Sequence, residues 1–331
     1  MPLATNADQL ITVGIPVYNG LPYLHDCIRS LREQTEQNFN VLIINDGSTD
    51  GSLEYIRSLR FERLTVLTQA NRGLVRTLNR MLEEVKTPWL VRQDADDVSY
   101  PERISVLLKT IQEHPEAAVI HSSARYYPEA NAVGHFRSTT CSPAELRTHV
   151  LKGYLPALCH SSVALSVQKI RAIGGYRSVA AHVEDADLWW RVALEQEIHY
   201  IPQCLVGYRQ NVDSVSSKNY RNQMVSTLYV QYLLLSHIFN QMPQPFEAVR
   251  STLELMFPAD NLAAKEWLRT FNMHLANKRK LSAALALHRS IIASPKYVCR
   301  RLMDEWNASA AVNGIPPRRF LEKESVLWAA Q

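Results

Sequence analysis

The 331-residue chain lacks the cysteine patterns that mark disulfide-rich or zinc-stabilised proteins. Its five cysteines are odd in number and scattered, with no CxxC pair, so neither a disulfide framework nor a four-ligand zinc site is indicated. The first twenty residues also show no basic segment followed by an apolar one, which argues against a secretory signal. We therefore expect a reducing, cytoplasmic compartment.

The sequence also lacks a strong charge imbalance and a long apolar run. Lys and Arg exceed Asp and Glu by only 36 − 32 = 4, and no nucleic-acid-binding motif accompanies this surplus, so no nucleic-acid partner is predicted. The most apolar stretch, Val225 to Phe239, is short for a bilayer and contains polar residues, which favours a buried helix. The overall composition, 46% apolar and 21% charged, is ordinary globular usage and excludes disordered and fibrous chains.

Short β-rich apolar segments alternate with helix-period stretches from Ile11 to about Ile120. The predicted strands are 11–17, 39–45, 64–68, 89–93 and 117–123, and the predicted helices are 22–34, 52–59, 74–85 and 101–114. This alternation predicts βαβ units and a mainly parallel sheet, in which ligands bind at the carboxyl ends of the strands. The polar clusters PVYNG, NDGSTD and DADD each follow a predicted strand, so we expect them to converge on one crevice.

Three carboxylates, Asp94, Asp96 and Asp97, follow the apolar strand WLV and precede a helix that begins near Pro101. Crowded carboxylates repel one another unless cations screen them. A hard divalent ion is the simplest partner, because Mg²⁺ takes one or two protein carboxylates and completes its shell with water and phosphate oxygens. The alternative is a solvated acidic turn that caps the following helix.

Two further strand ends carry candidate base-binding residues. The NDGSTDGS segment is turn and helix-capping chemistry, but this does not account for Asp46, which lies directly at the strand end and can accept a hydrogen bond from a ring N–H of a base. Tyr18 at the end of IPVYNG offers a stacking surface. A plain strand and its turn would explain the same segment.

The segment HVEDADLWWRVALEQE places Glu184 and Asp185 in the first turn of an amphipathic helix. Negative charge is favoured there by the helix dipole, so helix capping is one interpretation. The other is that Asp185 acts as a general base on an acceptor hydroxyl. Trp189 could stack on a sugar or simply pack in the core, and His160 could be a site residue or a buried structural histidine.

In this order, the segments resemble the family-2 glycosyltransferases, which are inverting enzymes of GT-A fold that use nucleotide-diphospho-sugars. The resemblance covers about residues 10 to 217. It is carried by Pro16, Tyr18 and Asn19; by Asp46 to Asp50; by Asn71, Gly73, Leu78 and Asn79; by Arg92, Asp94 to Asp97 and Pro101 to Arg103; by His160 to Val163; by Gly174 to Tyr176; by Glu184 to Trp189; and by Tyr208, Arg209 and Ser214 to Ser216.

The resemblance implies an α/β, Rossmann-like GT-A domain with a mainly parallel sheet over residues 1–218, followed by an α-helical C-terminal region, 219–331. Its nucleotide half would span about 10–120 and its acceptor half about 121–218. By the same likeness, Asp46 would recognise the base, Asp94 would face the ribose or donor sugar, and Asp185 would be the catalytic base. Asp96 would hold Mn²⁺ or Mg²⁺ on the diphosphate, with Asp97 as an alternative ligand. The implied nucleotide-sugar-binding set is Pro16, Tyr18, Asn19, Asp46, Asn71, Gly73, Arg92, Asp94, Ala95 and Asp96, and the implied acceptor side is His160, Glu184 and Trp189.

The resemblance implies a metal-dependent, inverting glycosyltransferase. It would transfer a sugar from a nucleotide-diphospho-sugar, with a UDP-sugar as the favoured donor, to a hydroxyl of a glycan or lipid-linked acceptor. A hexosyltransferase of bacterial surface polysaccharide or lipopolysaccharide synthesis would fit. Two alternatives remain from the residues alone. DADDV also matches the nucleophile motif of haloacid-dehalogenase-like phosphatases, with Asp94 as nucleophile, and a non-catalytic nucleotide-sugar-binding module would share every donor residue.

The C-terminal third is predicted to be helical, over 224–240, 246–256, 263–276 and 281–292. Between Lys265 and Lys323 there are twelve Lys or Arg and four Asp or Glu, so the segment carries a net charge of 12 − 4 = +8. This excess suggests peripheral contact with an anionic membrane surface, the inner face of the cell membrane. A solvated helical face or self-association through the C-terminal helices would account for the same pattern.

Overall fold

A computed structural model describes residues 10–128, 135–180, 182–209, 220–256, 259–276, 278–306 and 312–328. The chain forms two compact units that interleave along the sequence. The first unit comprises Met1–Arg125, Leu158–Arg177 and Glu195–Arg209, and the second comprises Tyr126–Ala157, Ser178–Leu194 and Gln210–Gln331. The sequence predicts a single boundary at residue 218, which lies outside the described residues.

The elements follow the predicted alternation up to β6, except that the two-residue strand Val98–Ser99 was not predicted. The strands are β1 Ile11–Val17, β2 Asn40–Asn45, β3 Leu64–Thr68, β4 Trp89–Arg92, β5 Val98–Ser99, β6 Ala117–Tyr127, β7 His135–Phe136, β8 Leu155–Pro156, β9 Val163–Ser166, β10 Glu197–Arg209 and β11 Val312–Asn313. The helices are α1 Leu21–Arg32, α2 Ser52–Ser58, α3 Leu74–Glu84, α4 Arg103–Glu113, α5 Pro143–Leu151, α6 Val167–Ala172, α7 Glu184–Glu195, α8 Tyr220–Ile238, α9 Phe246–Leu255, α10 Ala259–Ala276, α11 Lys280–Ala293, α12 Pro295–Trp306, α13 Arg318–Leu321 and α14 Glu324–Leu327.

The main sheet has the strand order β3-β2-β1-β4-β9-β6-β10-β5. Strand β1 pairs in parallel with both β2 and β4, and β2 pairs in parallel with β3. Beyond β4 the sheet is mixed, because β9 runs antiparallel to β4 and to β6. The chain builds outward from β1 to β3 and then returns to the other side of β1, so the strand order reverses between β1 and β4. Ligands of open α/β sheets bind at such a reversal point.

The hydrophobic core of the first unit includes buried residues of β1 and α1. All seven residues of β1 are buried, as expected of a central strand covered on both faces. On α1, Leu24, Cys27, Ile28 and Leu31 are buried, and their spacing of three and four residues is that of one helix face. The helix begins just after Gly20, where the Leu21 backbone N–H donates to Asp50 Oδ2 at 3.0 Å. This bond therefore fixes the direction in which the chain leaves the carboxyl end of β1.

The second unit buries the apolar stretch that the sequence placed in a helix. Helix α8 carries Gln231, whose Nε2 donates to Gly153 O at 2.8 Å and to Ile315 O at 2.7 Å. Tyr232 Oη donates to Leu327 O at 2.7 Å. These buried polar groups have protein partners, which fits a helix in a protein interior. Within the described ranges, none of the helices combines the length and apolarity that crossing a membrane requires.

The predicted C-terminal helices correspond to α8, α9, α10 and α11, with ends that differ by up to four residues. Helix α12 was not predicted. It begins at Pro295, one residue after α11's last cap residue, Ser294, and proline is well suited to a first helical position.

Candidate functional site

The loops that follow β1 and β2 are tied to each other. The Asn19 N–H donates to Ser48 Oγ at 3.0 Å, and Asn19 Oδ1 accepts from the Thr49 N–H at 2.8 Å. Asn19 has a φ of 51°, a conformation that asparagine tolerates better than most residues. Neighbouring Tyr18 is exposed, so its ring remains available for stacking.

Asp50 joins the same two loops. Its carboxylate accepts from the Leu21 N–H and, at 2.6 Å, from Ser52 Oγ. Burial opposes ionisation of this group, but hydrogen bonds from Ser52 and Leu21 outweigh burial and lower the pKa of Asp50. Asp50 is thus a structural anion that fixes the start of α1 against the β2 loop.

Asp46, at the end of β2, is buried and holds the loop that carries the Asn-x-Gly motif. Its Oδ1 accepts from Gln69 Nε2 and from the Arg72 N–H, both at 2.8 Å, and its Oδ2 accepts from the Gly73 N–H at 2.9 Å. A carboxylate offers about four acceptor sites, so these three bonds leave capacity for one further donor. Pro16 is in β1, directly in register with Ile44 of β2, and supports the same strand ends from inside the sheet.

A close backbone approach explains a glycine in this region. Gly47 has a φ of 76°, and a Cβ built there would lie 2.7 Å from the backbone nitrogen of Asn71. Asn71 in turn accepts the Gly73 N–H through its Oδ1 at 3.1 Å. Asp46, Asn71 and Gly73, all in the implied nucleotide-sugar-binding set, are therefore brought together, and the close approach of their loops depends on the missing side chain of Gly47.

The third cluster, DADD, reaches the same place. The Cys27 thiol on α1 contacts the backbone oxygen of Asp94 at 3.5 Å, and a Cβ on Gly20 would lie 3.2 Å from Cβ of Ala95. The predicted convergence of three strand-end clusters is confirmed.

Asp94 is held on both carboxylate oxygens. Arg92 Nη2 donates to Oδ1 at 2.5 Å, and Ser161 Oγ donates to Oδ2 at 2.6 Å. Burial opposes its ionisation, but the charge of Arg92 and the hydrogen bond from Ser161 lower the pKa of Asp94. Arg92 is itself almost wholly buried. Both carboxylate oxygens of Asp94 are therefore held in place by neighbouring side chains.

Asp96 and Asp97 differ in surroundings. Asp97 is buried; its Oδ1 accepts from the Arg209 N–H at 2.7 Å, and its Oδ2 has no hydrogen-bond partner among the described residues. Asp96 is less buried. Burial and the charge of Asp94 raise the pKa of Asp96 to about 6, and burial and the charge of Asp96 raise the pKa of Asp97 well above its usual range. The pair therefore favours a bound cation or a shared proton.

Arg209, at the end of β10, anchors this acidic loop from one side. Besides its N–H bond to Asp97, its Nε donates to Asp96 O at 2.7 Å, and its Nη2 donates to Asp26 Oδ2 at 2.8 Å. The guanidinium carbon lies 4.9 Å from the ring centroid of Tyr23. The Ser-Val-Ser segment downstream, Ser214 to Ser216, lies outside the described residues.

A buried polar network supports the loop from the other side. Arg103 Nη1 donates to Gln93 Oε1 at 2.5 Å, and its Nη2 donates to Arg92 O at 2.8 Å and to Ser161 O at 2.5 Å. Gln93 Nε2 donates to Asp97 O at 2.8 Å. These contacts of Gln93 and Ser161 with the acidic loop were not predicted from sequence, although Gln93 directly precedes the acidic run.

His160 joins the remaining motifs to the site. Its Nε2 lies 2.8 Å from Tyr176 Oη. The backbone N–H of Tyr176 donates to Asn79 Oδ1, and its carbonyl accepts from Asn79 Nδ2, both at 2.9 Å. Burial and the charge of Arg92 lower the pKa of His160 to about 3, so this imidazole is neutral at physiological pH.

The remaining acidic motif lies in the second unit. Helix α7 begins at Glu184, with Glu184 and Asp185 in its first turn as predicted. Asp187 is fully buried and pairs with Arg191 Nε at 3.0 Å, which explains the third acid of the motif as structural. Trp189 is 1% exposed, so no ring face is open to a sugar and its packing interpretation is supported. Asp185 is only partly buried.

The comparisons with known proteins agree with these motifs. Residues 12–174 match the model of the glycosyl transferase family 2. The chain carries a family-2 glycosyltransferase domain. The protein EpsE of Bacillus subtilis (strain 168), a glycosyltransferase by name, is 24% identical over 232 residues, which are 68% of this chain and 82% of EpsE. Two other curated relatives, from Rickettsia felis and Rickettsia conorii, are longer, and the chain spans 38% of each.

Solved structures show the same GT-A-type fold. The TarS fragment 1-349 of S. aureus, in complex with UDP-GlcNAc, has a TM-score of 0.55 at 15% identity and covers 84% of this chain and 90% of that one. The mannosyltransferase PcManGT of Pyrobaculum calidifontis, in complex with GDP-Man and Mn²⁺, has a TM-score of 0.50 at 18% identity and covers 96% of this chain and 84% of that one. The predicted family, GT-A fold and enzyme class of this glycosyltransferase are confirmed.

Proposed function

We propose that this glycosyltransferase moves a sugar from a UDP-sugar to an acceptor hydroxyl with inversion at the anomeric carbon. The observation that carries the proposal is the acidic loop after β4, at the point where the strand order reverses. There Asp94 is fixed on both oxygens by Arg92 and Ser161, while Asp96 has an elevated pKa and is less buried than Asp97. Rigidly placed and mutually repelling carboxylates suit a divalent cation that also binds the phosphate oxygens of a donor.

For the donor, we assign the base to Tyr18 and Asp46 and the ribose or sugar to Asp94. Tyr18 supplies an exposed ring, Asp46 retains acceptor capacity, and Asn19, Asn71 and Gly73 hold the loops between them. UDP is favoured because TarS, which shares the fold, has been solved with UDP-GlcNAc. A guanine nucleotide is the alternative, since PcManGT has been solved with GDP-Man.

For the metal, Mn²⁺ or Mg²⁺, we propose Asp96 as the protein ligand. The donor set fits these ions, since both prefer hard oxygen ligands, although among the described residues no three His, Cys, Asp or Glu side chains could hold a metal together. One carboxylate would suffice if donor phosphates and water supplied the other ligands. When bound, the ion would neutralise charge on the diphosphate leaving group. Asp97 is the weaker candidate because its Oδ1 is committed to Arg209.

For the chemistry, we propose Asp185 as the general base. Its position in the first turn of α7 lets the helix dipole keep the carboxylate ionised, and it would accept the proton of the acceptor hydroxyl as that oxygen attacks the anomeric carbon. The new bond forms opposite the departing diphosphate, so the configuration inverts. His160 and Glu184 are proposed to shape the acceptor side.

For the acceptor, we propose a glycan or lipid-linked glycan of a bacterial surface polysaccharide or lipopolysaccharide. Relatives with surface-polymer names support this class, including a teichoic acid poly(glycerol phosphate) polymerase of Staphylococcus epidermidis that is 37% identical over 95 residues. For location, we propose contact with the inner face of the cell membrane through the basic segment 265–323, with self-association of the C-terminal helices as the alternative.

A donor screen tests the reaction. Nucleoside diphosphate release would be measured across UDP-, GDP- and TDP-sugars, with and without Mn²⁺ and with excess EDTA. We expect release from one UDP-sugar that requires the metal and increases with acceptor. Release from no nucleotide-sugar, or full activity in EDTA, would contradict the donor or the metal assignment respectively.

A further inference from the structure

Helix α11 packs its small residues against the protein. Ala283, Ala286 and Ser290 are buried, and the Ser290 hydroxyl donates to Ala264 O of α10 at 2.8 Å. Small residues let two helices approach closely, so this face explains how α11 is attached to α10. It leaves the larger side chains of α11 for another surface.

The large apolar residues of α11 face solvent. Leu281, Leu285 and Ile292 are 90%, 52% and 67% exposed. At about 100° per residue, these three side chains lie within about 40° of one another, on the side of the helix opposite the buried small residues. We call this set the outer face of α11. His288, which is also exposed, falls in the same sector between Leu285 and Ile292. Exposed apolar patches with polar residues around them mark protein or membrane interaction sites.

The chain segment that contains the outer face carries charge of one sign. From Trp267 to Met303 the sequence contains eight Lys or Arg and no Asp or Glu. Lys278, Arg279 and Lys280 directly precede Leu281, and all three are exposed. Arg289, also exposed, lies 4.7 Å from the ring centroid of Trp267.

The apolar outer face and the basic residues of the same segment together indicate what binds this surface. A second copy of this chain would bring two strongly positive segments together, which like-charge repulsion opposes. An anionic membrane offers phosphates to the basic residues and an acyl boundary to the leucines, which is the way basic amphipathic helices lie in a bilayer interface.

We propose that the outer face of α11 inserts into the interfacial layer of an anionic membrane, with Lys278, Arg279, Lys280 and Arg289 on the lipid phosphates. This rests on the membrane contact proposed above, and it adds an apolar, residue-specific element to a contact that was otherwise argued from charge alone. An acceptor linked to lipid would then be met at the same surface.

Vesicle co-sedimentation tests the proposal with the full chain. The vesicles would be pure phosphatidylcholine or phosphatidylcholine with a quarter phosphatidylglycerol, at about 0.05 M and about 0.5 M NaCl. We expect the wild type to sediment with the anionic vesicles at low salt. Leu281→Asn should weaken partitioning about tenfold, because a leucine no longer enters the acyl boundary. Lys280→Ser should weaken it about fivefold and reduce the salt dependence.

The control is Leu255→Asn. Leu255 ends α9, is 84% exposed, and lies beside Glu254 rather than in the basic stretch. We expect it to leave partitioning unchanged. Equal binding of wild type and Leu281→Asn to anionic vesicles would overturn the insertion of α11 while leaving the charge-based contact standing, and no binding of the wild type would overturn both. A wild-type dimer that Leu281→Asn converts to a monomer, with vesicle binding intact, would assign the outer face to a second copy. Nucleotide release with a soluble acceptor, unchanged in Leu281→Asn, keeps this test separate from the proposed reaction.

Discussion

Replacing Asp96 with asparagine should stabilise the metal-free protein while it abolishes activity. In the folded chain, burial and the charge of Asp94 raise the pKa of Asp96 from 3.8 to about 6. The folded state therefore binds a proton more tightly than the unfolded state, and the ionised group is a destabilising one. A difference of about two pKa units corresponds to about 3 kcal/mol at a pH well above 6.

The pH dependence follows from the same two pKa values. The penalty is fully present above the folded pKa of about 6 and disappears as the pH falls below the unfolded value of 3.8. Asp96→Asn should thus be more stable than the wild type by up to about 3 kcal/mol at pH 8, with the cost of burying the amide subtracted, and the advantage should shrink towards pH 4.

Urea unfolding of both proteins at several pH values measures this difference, with EDTA present throughout. Asp50→Asn is the control of opposite sign, because hydrogen bonds from Ser52 and Leu21 lower the pKa of Asp50, and we expect that variant to be less stable than the wild type. In a second arm, Mn²⁺ with UDP should raise the melting temperature of the wild type but not of Asp96→Asn. If Asp96→Asn were less stable than the wild type at pH 8, or if its advantage did not change with pH, the electrostatic argument for the acidic loop would be refuted.

Three further predictions concern other parts of the molecule. Asp185→Asn should lower kcat by at least a hundredfold with little change in donor affinity measured by UDP-sugar titration, and parallel losses of both would instead indicate a structural cap. Arg103→Lys should lower kcat more than it raises the donor KM, and it should lower the free energy of unfolding, measured by urea titration, by about 3 kcal/mol. The reason is that an ammonium cannot replace the forked bonds to Gln93, Arg92 O and Ser161 O. Full activity of this variant would show that the acidic loop needs no such support. His121 is buried, and burial and the charge of His199 lower its pKa from 6.5 to about 3, so the wild type should lose about 1.4 kcal/mol through this group between pH 7.5 and 5.5. His121→Gln should lack that loss, and identical pH slopes for the two proteins would refute it.

Much of the parallel half of the sheet could be predicted because its signals are local. The predicted strands and helices up to β6 agree with the structure to within a few residues, since each apolar run, turn cluster and helix-period stretch is decided by its own residues. The antiparallel β9 could not be predicted in the same way. VALS is a four-residue apolar piece, and its direction is set by pairing with Leu90 and Ile120, which lie far away in sequence.

The candidate site residues also divide into those that a local sequence pattern indicates and those whose contacts only the folded chain reveals. Asp46, Asp94 and Asp96 were proposed as site residues from sequence because carboxylates at strand ends are a local pattern. Ser161 and Gln93 were not, since a serine or glutamine gains importance only from the partner that folding brings to it, here Asp94 at 2.6 Å and Asp97 O at 2.8 Å.

The ambiguity between Asp96 and Asp97 illustrates why a motif alone does not assign a ligand. The two residues are adjacent and chemically identical, so no local rule separates them. A contact with β10 distinguishes them. The last residue of that strand, Arg209, lies 112 positions after Asp97 and donates its backbone N–H to Asp97 Oδ1 at 2.7 Å. That bond and deep burial support our proposal that Asp97 holds the loop in place, and Asp96, which gives Arg209 only its backbone oxygen, is our proposed ligand. Asp97→Asn retains an oxygen that can accept the Arg209 N–H, so we expect it to keep at least a tenth of the wild-type turnover in the nucleotide-release assay where Asp96→Asn has none. The reverse ranking would make Asp97 the metal ligand.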